Sequence, residues 1–159
     1  MSVVVGMAAE VWAALEQVVD PELPVLTIAD LGILRDVAVD GSHVTVTITP
    51  TYSGCPALQE ITDDILAALP GRDVEVRTVL SPAWTSDWMS VEGRRKLAEF
   101  GIAPPRRGSG PVSVTLGGLT CPHCGSRDTE ELSRFSSTAC KSMWRCRACR
   151  EPFDHFKDH

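Results

Sequence analysis

Four of the six cysteines stand in two pairs whose spacing is typical of a metal site. The pairs are Cys121–Cys124 and Cys146–Cys149, each a Cys-x-x-Cys, and 21 residues separate them. Each pair can place two thiolates at one edge of a tetrahedron, and Gly125 allows the tight turn that brings backbone amides towards the sulfurs. Zinc is favoured because it is redox-inert and accepts four sulfurs, and an iron-sulfur cluster on the same thiolates is the alternative.

Three other side chains near these pairs are able to bind a metal: Cys140, His123 and His155. A free cysteine behaves most often as a small buried apolar residue. We therefore expect Cys140 to be buried and the two histidines to face solvent. The predicted ligands remain the four paired cysteines.

Cys55 lies in a turn between a predicted strand and a helix that we expect to begin at Pro56. The free amides and the dipole of a helix N-terminus stabilise a thiolate, so this position predicts a lowered thiol pKa. Such a thiolate can act as a nucleophile or as a transient metal ligand. A buried or capping thiol is the other interpretation, and the residue types alone leave both open.

Two carboxylates, Asp20 and Glu22, flank Pro21 in a rigid turn. Paired carboxylates can transfer protons or bind metal, although a solvated turn that ends a helix is more common. The first 101 residues contain a single histidine, His43, which falls at a predicted hairpin turn. We therefore do not expect a cysteine-hydrolase triad.

The elements that position these residues follow from apolar spacing. Helical periodicity predicts a helix of about ten residues that ends by Asp20, which precedes a proline. Alternating apolar residues predict a hairpin. The elements are in the order α-β-β-α-β-α, an α+β sandwich with helices on one face of a small sheet. After the first helix, their predicted ranges are 33–39, 44–49, 56–69, 74–80 and 91–100.

The remaining residues form a different kind of unit. Residues 103–111 are rich in proline, glycine and arginine and predict a linker between a first domain over 1–102 and a tail over 112–159. The tail predicts short strands at 112–116, 132–135, 143–145 and 153–156. So short a β-rich segment buries little surface, and we expect a metal to supply the missing stability.

Trp84, Trp88 and Met89 follow the third predicted strand. They form either an exposed surface for a partner or part of the core, and the sequence does not decide between the two.

Composition bounds the class of protein. The chain has 159 residues, 43% of them hydrophobic and 23% charged, which suits one domain with a small satellite and excludes a large multi-domain enzyme. We find no apolar run long enough to span a membrane and no basic leader, and therefore expect a cytoplasmic protein with reduced thiols.

Charge is unevenly distributed along the chain. Residues 1–101 carry six basic and fifteen acidic residues, a net charge of −9, whereas residues 112–159 have a net charge of +1. A nucleic-acid-binding protein usually has a basic face. We therefore expect neither nucleic acid nor a membrane as a partner.

Several segments of the first domain resemble the iron-sulfur assembly factors of the SufT type. They are Asp20–Pro24, Asp30–Gly32, Val44–Pro50 and Gly54–Pro56. The resemblance implies a scaffold or maturation factor in which Cys55 matches the reactive cysteine and Asp20 and Glu22 match the acidic turn. It also implies that an iron-sulfur cluster is bound there transiently.

Two further segments, Ser81–Met89 and Cys121–Lys157, resemble the PaaD family, small subunits encoded with phenylacetyl-CoA epoxidase in aerobic phenylacetate degradation. The resemblance implies that other subunits, an oxygenase and a reductase, perform catalysis. This chain would then be a non-catalytic accessory subunit that assembles or maintains one of their metal centres, with the reductase cluster as the favoured client. A docking subunit without a cluster, a thiol-dependent enzyme and a homodimer stay open.

Overall fold

The computed structural model describes residues 2–52, 54–106 and 118–158, with side chains from residue 6 onwards. The chain divides into two compact units, Met1–Trp84 and Thr85–His159. Their described parts contain three α-helices and two β-sheets, which confirms the predicted α+β class. No helix in these ranges is both long and apolar enough to cross a membrane.

The first unit is a three-stranded sheet with two helices. Its elements are α1 (Ser2–Leu15), β1 (Leu34–Asp40), β2 (His43–Ile48), α2 (Leu58–Ala68) and β3 (Asp73–Thr78). β1 and β2 form the predicted antiparallel hairpin, whose turn contains Gly41 at a φ of +61°. β3 pairs in parallel with β2, so α2 is the crossover that a parallel pair requires.

The core of this unit lies on one face of β2. Val44, Val46 and Ile48 are completely buried and alternate with half-buried residues, as the strand period of two predicts. Ile61 and Ile65 of α2 are also buried, as are Val11 and Leu15 of α1. Each such side chain contributes about 1.5–3 kcal/mol when it leaves water, so this layer holds the unit together.

The second unit begins before the cysteine-rich tail. A 3₁₀ turn at Ser86–Trp88 precedes α3 (Val91–Glu99), and the strands are β4 (Ile102–Ala103), β5 (Thr129–Ser133), β6 (Lys141–Cys146) and β7 (Pro152–Phe156). The Ser90 hydroxyl accepts a hydrogen bond of 2.9 Å from the Gly93 N–H and caps α3. The strand order is β4-β7-β6-β5, with β4 and β7 parallel and the other pairs antiparallel.

The sequence placed the boundary between domains after residue 102, whereas the first unit ends at Trp84 and the second begins at Thr85. The physical reason is β4, a two-residue strand that the sequence did not predict and that pairs with β7. Because α3 contacts β4, it belongs to the second unit. Ala103, expected to begin the linker, is in β4, and the strand expected at 112–116 lies outside the described residues.

Candidate functional site

The four paired cysteines come together in the second unit. All four Sγ atoms lie within 4.8 Å of one another. The Sγ atoms of Cys124 and Cys146 are 3.5 Å apart, and those of Cys121 and Cys149 are 3.8 Å apart. Four sulfurs at the usual 2.3 Å from a tetrahedral ion are separated by about 3.8 Å. The donor set and its separations therefore fit a tetrahedral metal ion.

Local backbone geometry explains why each pair forms a loop around the metal position. The Gly125 N–H donates to the Cys121 carbonyl at 2.9 Å, with Gly125 at a φ of +79°. Arg150, the residue after the second pair, takes the same left-handed conformation at a φ of +65°. Burial and contacts with the other thiols raise the pKa of Cys149. The N–H of Cys149 points to Cys146 Sγ, 3.5 Å away, and its hydrogen bond is the largest of several that lower the pKa of the Cys146 thiol to about 7. A thiol that ionises this readily suits a metal ligand.

One side of the cysteine cluster is part of a hydrophobic core. Cys121 and Cys146 are buried with Ala103, Leu119 and Phe153, whereas Cys124 is exposed and Cys149 half-buried. The buried side excludes water from two of the four sulfurs. The exposed side leaves a route by which an ion can enter.

The three side chains that were not predicted as ligands, Cys140, His123 and His155, lie outside the cluster. Cys140 is buried, as expected, and its sulfur is 3.0 Å from the Thr138 hydroxyl. His123 is exposed. The expectation for His155 was wrong: it is buried, because it faces Ser142 across β6 and β7, and its Nδ1 donates to the Ala103 carbonyl at 3.1 Å.

Cys55 lies in the first unit, between β2 and α2, but the prediction of a lowered pKa was wrong. The helix begins at Leu58 with Ala57 as its N-cap, so the thiol lies two residues before the cap. Burial raises the pKa of the Cys55 thiol, and the negative charges of Glu22 and Asp20 raise it further. Hydrogen bonds from the Ala57 backbone and from Tyr52 offset only part of this. Cys55 is therefore a neutral thiol at pH 7.

The acidic turn beside Cys55 is well defined. Asp20 Oδ1 accepts hydrogen bonds from the N–H groups of Glu22, at 2.8 Å, and Leu23, at 3.0 Å. Asp20 is buried, and this burial raises the pKa of its carboxyl despite the two hydrogen bonds. Glu22 is half-buried. The expectation of a solvated turn therefore fails for Asp20.

Cys55, Asp20 and Glu22 are electrostatic neighbours, but they do not form a preorganised metal site. Within the described part of the chain, the four-cysteine cluster is the only group of three or more histidine, cysteine or carboxylate side chains close enough to share an ion. The sequence did not single out Tyr52, which hydrogen-bonds to Cys55. Its signal was its place three residues before the cysteine, in the same turn.

The expected partner surface is not formed by Trp84 and Met89. Trp84 is 6% exposed and its indole N–H donates to the Leu31 carbonyl at 2.8 Å, whereas Met89 is 3% exposed. Trp88 is half-buried. Two of the three side chains therefore belong to the interior.

Comparison with known proteins assigns both parts of the chain. Residues 8–78 match the family model described as iron-sulfur cluster assembly protein, and residues 112–157 match the PaaD zinc beta ribbon domain. The chain is 46% identical over 151 residues to a protein of Escherichia coli (strain K12) that is provisionally named as one of the subunits of 1,2-phenylacetyl-CoA epoxidase. The match covers 93% of this chain and 91% of that protein.

The first unit also has shorter relatives. The iron-sulfur protein maturation auxiliary factor YitW of Bacillus subtilis (strain 168) is 47% identical over 85 residues, which is 50% of this chain and 82% of the relative. A domain of unknown function from Bacillus anthracis has a TM-score of 0.55 at 32% identity, and the match covers 58% of this chain and 92% of that one. An iron-sulfur assembly domain followed by a four-cysteine ribbon, with identity to the Escherichia coli protein along nearly the whole chain, places this protein in the PaaD family of phenylacetyl-CoA epoxidase subunits.

Proposed function

We propose that this protein is a non-catalytic maturation factor of a phenylacetyl-CoA epoxidase system. In this proposal the first unit takes up an iron-sulfur cluster through Cys55 and passes it to an oxygenase or reductase subunit. The observation that carries the proposal is Cys55 beside Asp20 and Glu22, inside the region that matches the iron-sulfur cluster assembly family.

The electrostatics of Cys55 favour transient binding of the cluster, which is the cargo here. Burial, reinforced by the two carboxylates, keeps the thiol neutral while no cation is near. An iron centre that approaches is attracted by the same carboxylates and ionises the thiol, because a thiol loses its proton when it binds a metal. A single thiol holds a cluster less firmly than the four that a resident cluster uses, so release to a client remains easy.

The ribbon has a structural role in this proposal. Four thiolates at tetrahedral separations, half of them in a hydrophobic core, suit zinc, which closes a fold without redox chemistry. In that role the ion supplies folding free energy to the second unit. The ribbon keeps its ion while the cargo at Cys55 is exchanged.

A thiol-dependent enzyme is less well supported. A nucleophilic cysteine needs a lowered pKa or an adjacent base, and the pKa of Cys55 is raised. His43 Nδ1 is 2.9 Å from Asp73 Oδ2, and its Nε2 is 3.6 Å from Glu75 Oε2, so both ring nitrogens face carboxylates of β3. His43 is thus engaged away from the thiol.

A docking subunit that carries no cluster is the second candidate. It is favoured by one observation, that the residues around Cys55 do not form a closed set of metal ligands within the described chain. In both candidates the partners are the other subunits of the epoxidase, as the name of the Escherichia coli relative suggests.

The test compares wild type, Cys55→Ser and the control Cys140→Ser, all purified without oxygen. Cys140 is a buried thiol outside both sites, so its variant controls for the loss of one cysteine. We expect one zinc per chain in all three proteins, with iron and acid-labile sulfide in wild type and Cys140→Ser alone. Cells carrying Cys55→Ser should contain epoxidase subunits depleted of iron.

The outcomes separate the candidates. Zinc without iron or sulfide in every sample, together with fully loaded epoxidase subunits in Cys55→Ser cells, would reject the maturation role. If those subunits were loaded but no longer assembled together, the docking role would replace it.

A further inference from the structure

An open cavity of about 360 Å³ lies in the second unit, and none of the four paired cysteines lines it. Its floor is one face of the sheet, where Ser142 pairs with His155 and Trp144 pairs with Glu131 across neighbouring strands. Small-molecule sites usually have volumes of about 300–1,000 Å³. The cavity therefore suits a compact ligand.

His155 gives this cavity a defined hydrogen-bond acceptor. Its Nδ1 donates to the Ala103 carbonyl at 3.1 Å, which leaves the lone pair of the neutral ring on Nε2. His155 is 4% exposed, and burial lowers the pKa of its imidazole, so the ring is neutral at pH 7. Nε2 lies 3.8 Å from Asp158 Oδ1, and Glu131 also borders the cavity. This end of the cavity thus accepts hydrogen bonds from N–H groups.

Aromatic rings line the cavity. Trp144 meets His155 edge to face, with 6.2 Å between ring centroids, and its indole N–H is satisfied by the Ser142 hydroxyl at 3.0 Å. Phe135 is 65% exposed; the Lys157 ammonium lies over one face of its ring, 4.2 Å from the centroid, and donates to the Ala139 carbonyl at 2.9 Å. The other face of this exposed ring is a surface on which a planar base stacks.

Basic side chains also line the cavity. Arg106 lies against Asp158, with 3.3 Å between Nε and Oδ2, so its charge is balanced. Arg134 borders the cavity and has no carboxylate within 4 Å among the described residues. A guanidinium with its donors available binds phosphate in a bidentate manner.

We infer that this cavity binds a nucleotide, with the base stacked against Phe135 and Trp144, an N–H of the base donated to His155 Nε2, and the phosphate at Arg134. The three features lie in one cavity of nucleotide scale. The ligand is either a free mononucleotide or the nucleotide part of a larger coenzyme. Neither the maturation role nor the metal in the ribbon requires this site.

The test uses the full-length, metal-loaded chain and calorimetric titration with adenosine 5′-monophosphate, adenosine, inorganic phosphate and coenzyme A. Arg134→Ala and Phe135→Ala change exposed side chains, so neither should unfold the unit. Their matched controls are Arg127→Ala and Leu132→Ala, which change exposed residues of the same unit that do not line the cavity.

We expect the monophosphate to bind more tightly than either adenosine or phosphate, and each cavity variant to weaken it by about tenfold or more, the usual loss for a charge-assisted hydrogen bond at Arg134 and for base stacking at Phe135. The controls should bind as wild type does. Tighter binding of coenzyme A than of the monophosphate would identify a coenzyme as the source of the nucleotide, and the reverse would identify a free nucleotide. Equal affinity for phosphate and monophosphate, equal loss in the control variants, or no binding at millimolar concentration would overturn the proposal.

Discussion

The indole N–H of Trp84 donates to the carbonyl of Leu31, 53 residues earlier in the chain, at a distance of 2.8 Å. This bond is buried, and it ties the segment after β3 to the turn before β1. Trp84 therefore serves the interior of the first unit, and its indole nitrogen has a structural partner.

Trp84→Phe should lower the free energy of unfolding by about 1–3 kcal/mol, because it leaves the buried Leu31 carbonyl without a donor. Urea unfolding followed by circular dichroism measures the change. Trp12→Phe is the matched control, since the Trp12 indole donates to Glu16 at an exposed position on α1. A loss of the same size in both variants would show that the buried bond to Leu31 contributes no more to the free energy of unfolding than the exposed bond to Glu16.

Cys121→Ser and Cys146→Ser should each abolish metal binding and unfold the second unit, while the first unit stays folded. A structural zinc contributes about 10–16 kcal/mol of binding free energy, as much as a typical domain has in total stability. Amide hydrogen exchange should show protection lost in β5–β7 and kept in β2. Cys140→Ser should retain both metal and protection, and a protected β6 in metal-free Cys121→Ser would contradict the prediction.

Glu22→Gln should make Cys55 more reactive. The charge of Glu22 raises the pKa of the thiol, so its removal lowers that pKa and increases the thiolate fraction at pH 8. Glu22 and Cys55 are both half-buried, and a charge interaction between such groups is worth up to about 1 kcal/mol. This corresponds to an increase of up to about fivefold in alkylation rate. Iodoacetamide labelling resolved by peptide mass spectrometry reports Cys55 separately from the other cysteines.

Glu10→Gln on α1 is the charge-matched control for this experiment, because Glu10 is exposed and has no part in the pKa shift of Cys55. Cys55 in Glu10→Gln should be alkylated at the wild-type rate. An unchanged rate in Glu22→Gln would mean that the charge of Glu22 has no part in setting the pKa of Cys55.

Asp20→Asn should leave the first unit as stable as wild type or more stable at pH 7. Burial raises the pKa of the Asp20 carboxyl above its unfolded value, so the cost of its charge is present at neutral pH and disappears as the pH falls through the folded-state pKa. The asparagine oxygen can still accept from the Glu22 and Leu23 amides.

Asp20→Ala should instead lose about 1–3 kcal/mol, because both amides lose their acceptor. Urea midpoints at pH 7 and pH 4 distinguish the two variants, and any advantage of Asp20→Asn should shrink at the lower pH. A large loss in Asp20→Asn at pH 7 would show that the negative charge itself stabilises the turn.

Local patterns predicted the features that depend on neighbouring residues. The alternation of Val44, Val46 and Ile48 specified which face of β2 is buried, and the two cysteine pairs specified the ligands that the structure brings together. Gly125, chosen for its freedom at the first pair, does take a left-handed conformation. These properties follow from spacing of a few residues, which a sequence displays directly.

Properties that depend on distant segments were not predictable in this way. The pKa of Cys55 is set by burial and by carboxylates more than thirty residues earlier, and these outweigh the short-range effect of the helix start. His155 is buried because it pairs across the sheet with Ser142 and bonds to Ala103. β4 has only two residues, too short for any periodicity, and its partner lies about fifty residues later.

The place of β7 between β4 and β6 has a consequence for synthesis on the ribosome. β1, β2 and β3 follow one another within residues 34–78, so the first sheet can assemble as soon as that segment emerges. β4 must instead wait for β7, some fifty residues later, roughly 3–10 s at a translation rate of about 5–20 residues per second. During that interval the apolar residues of β4 and α3 lack their partner strand, and the nascent chain is then most open to chaperones and to aggregation.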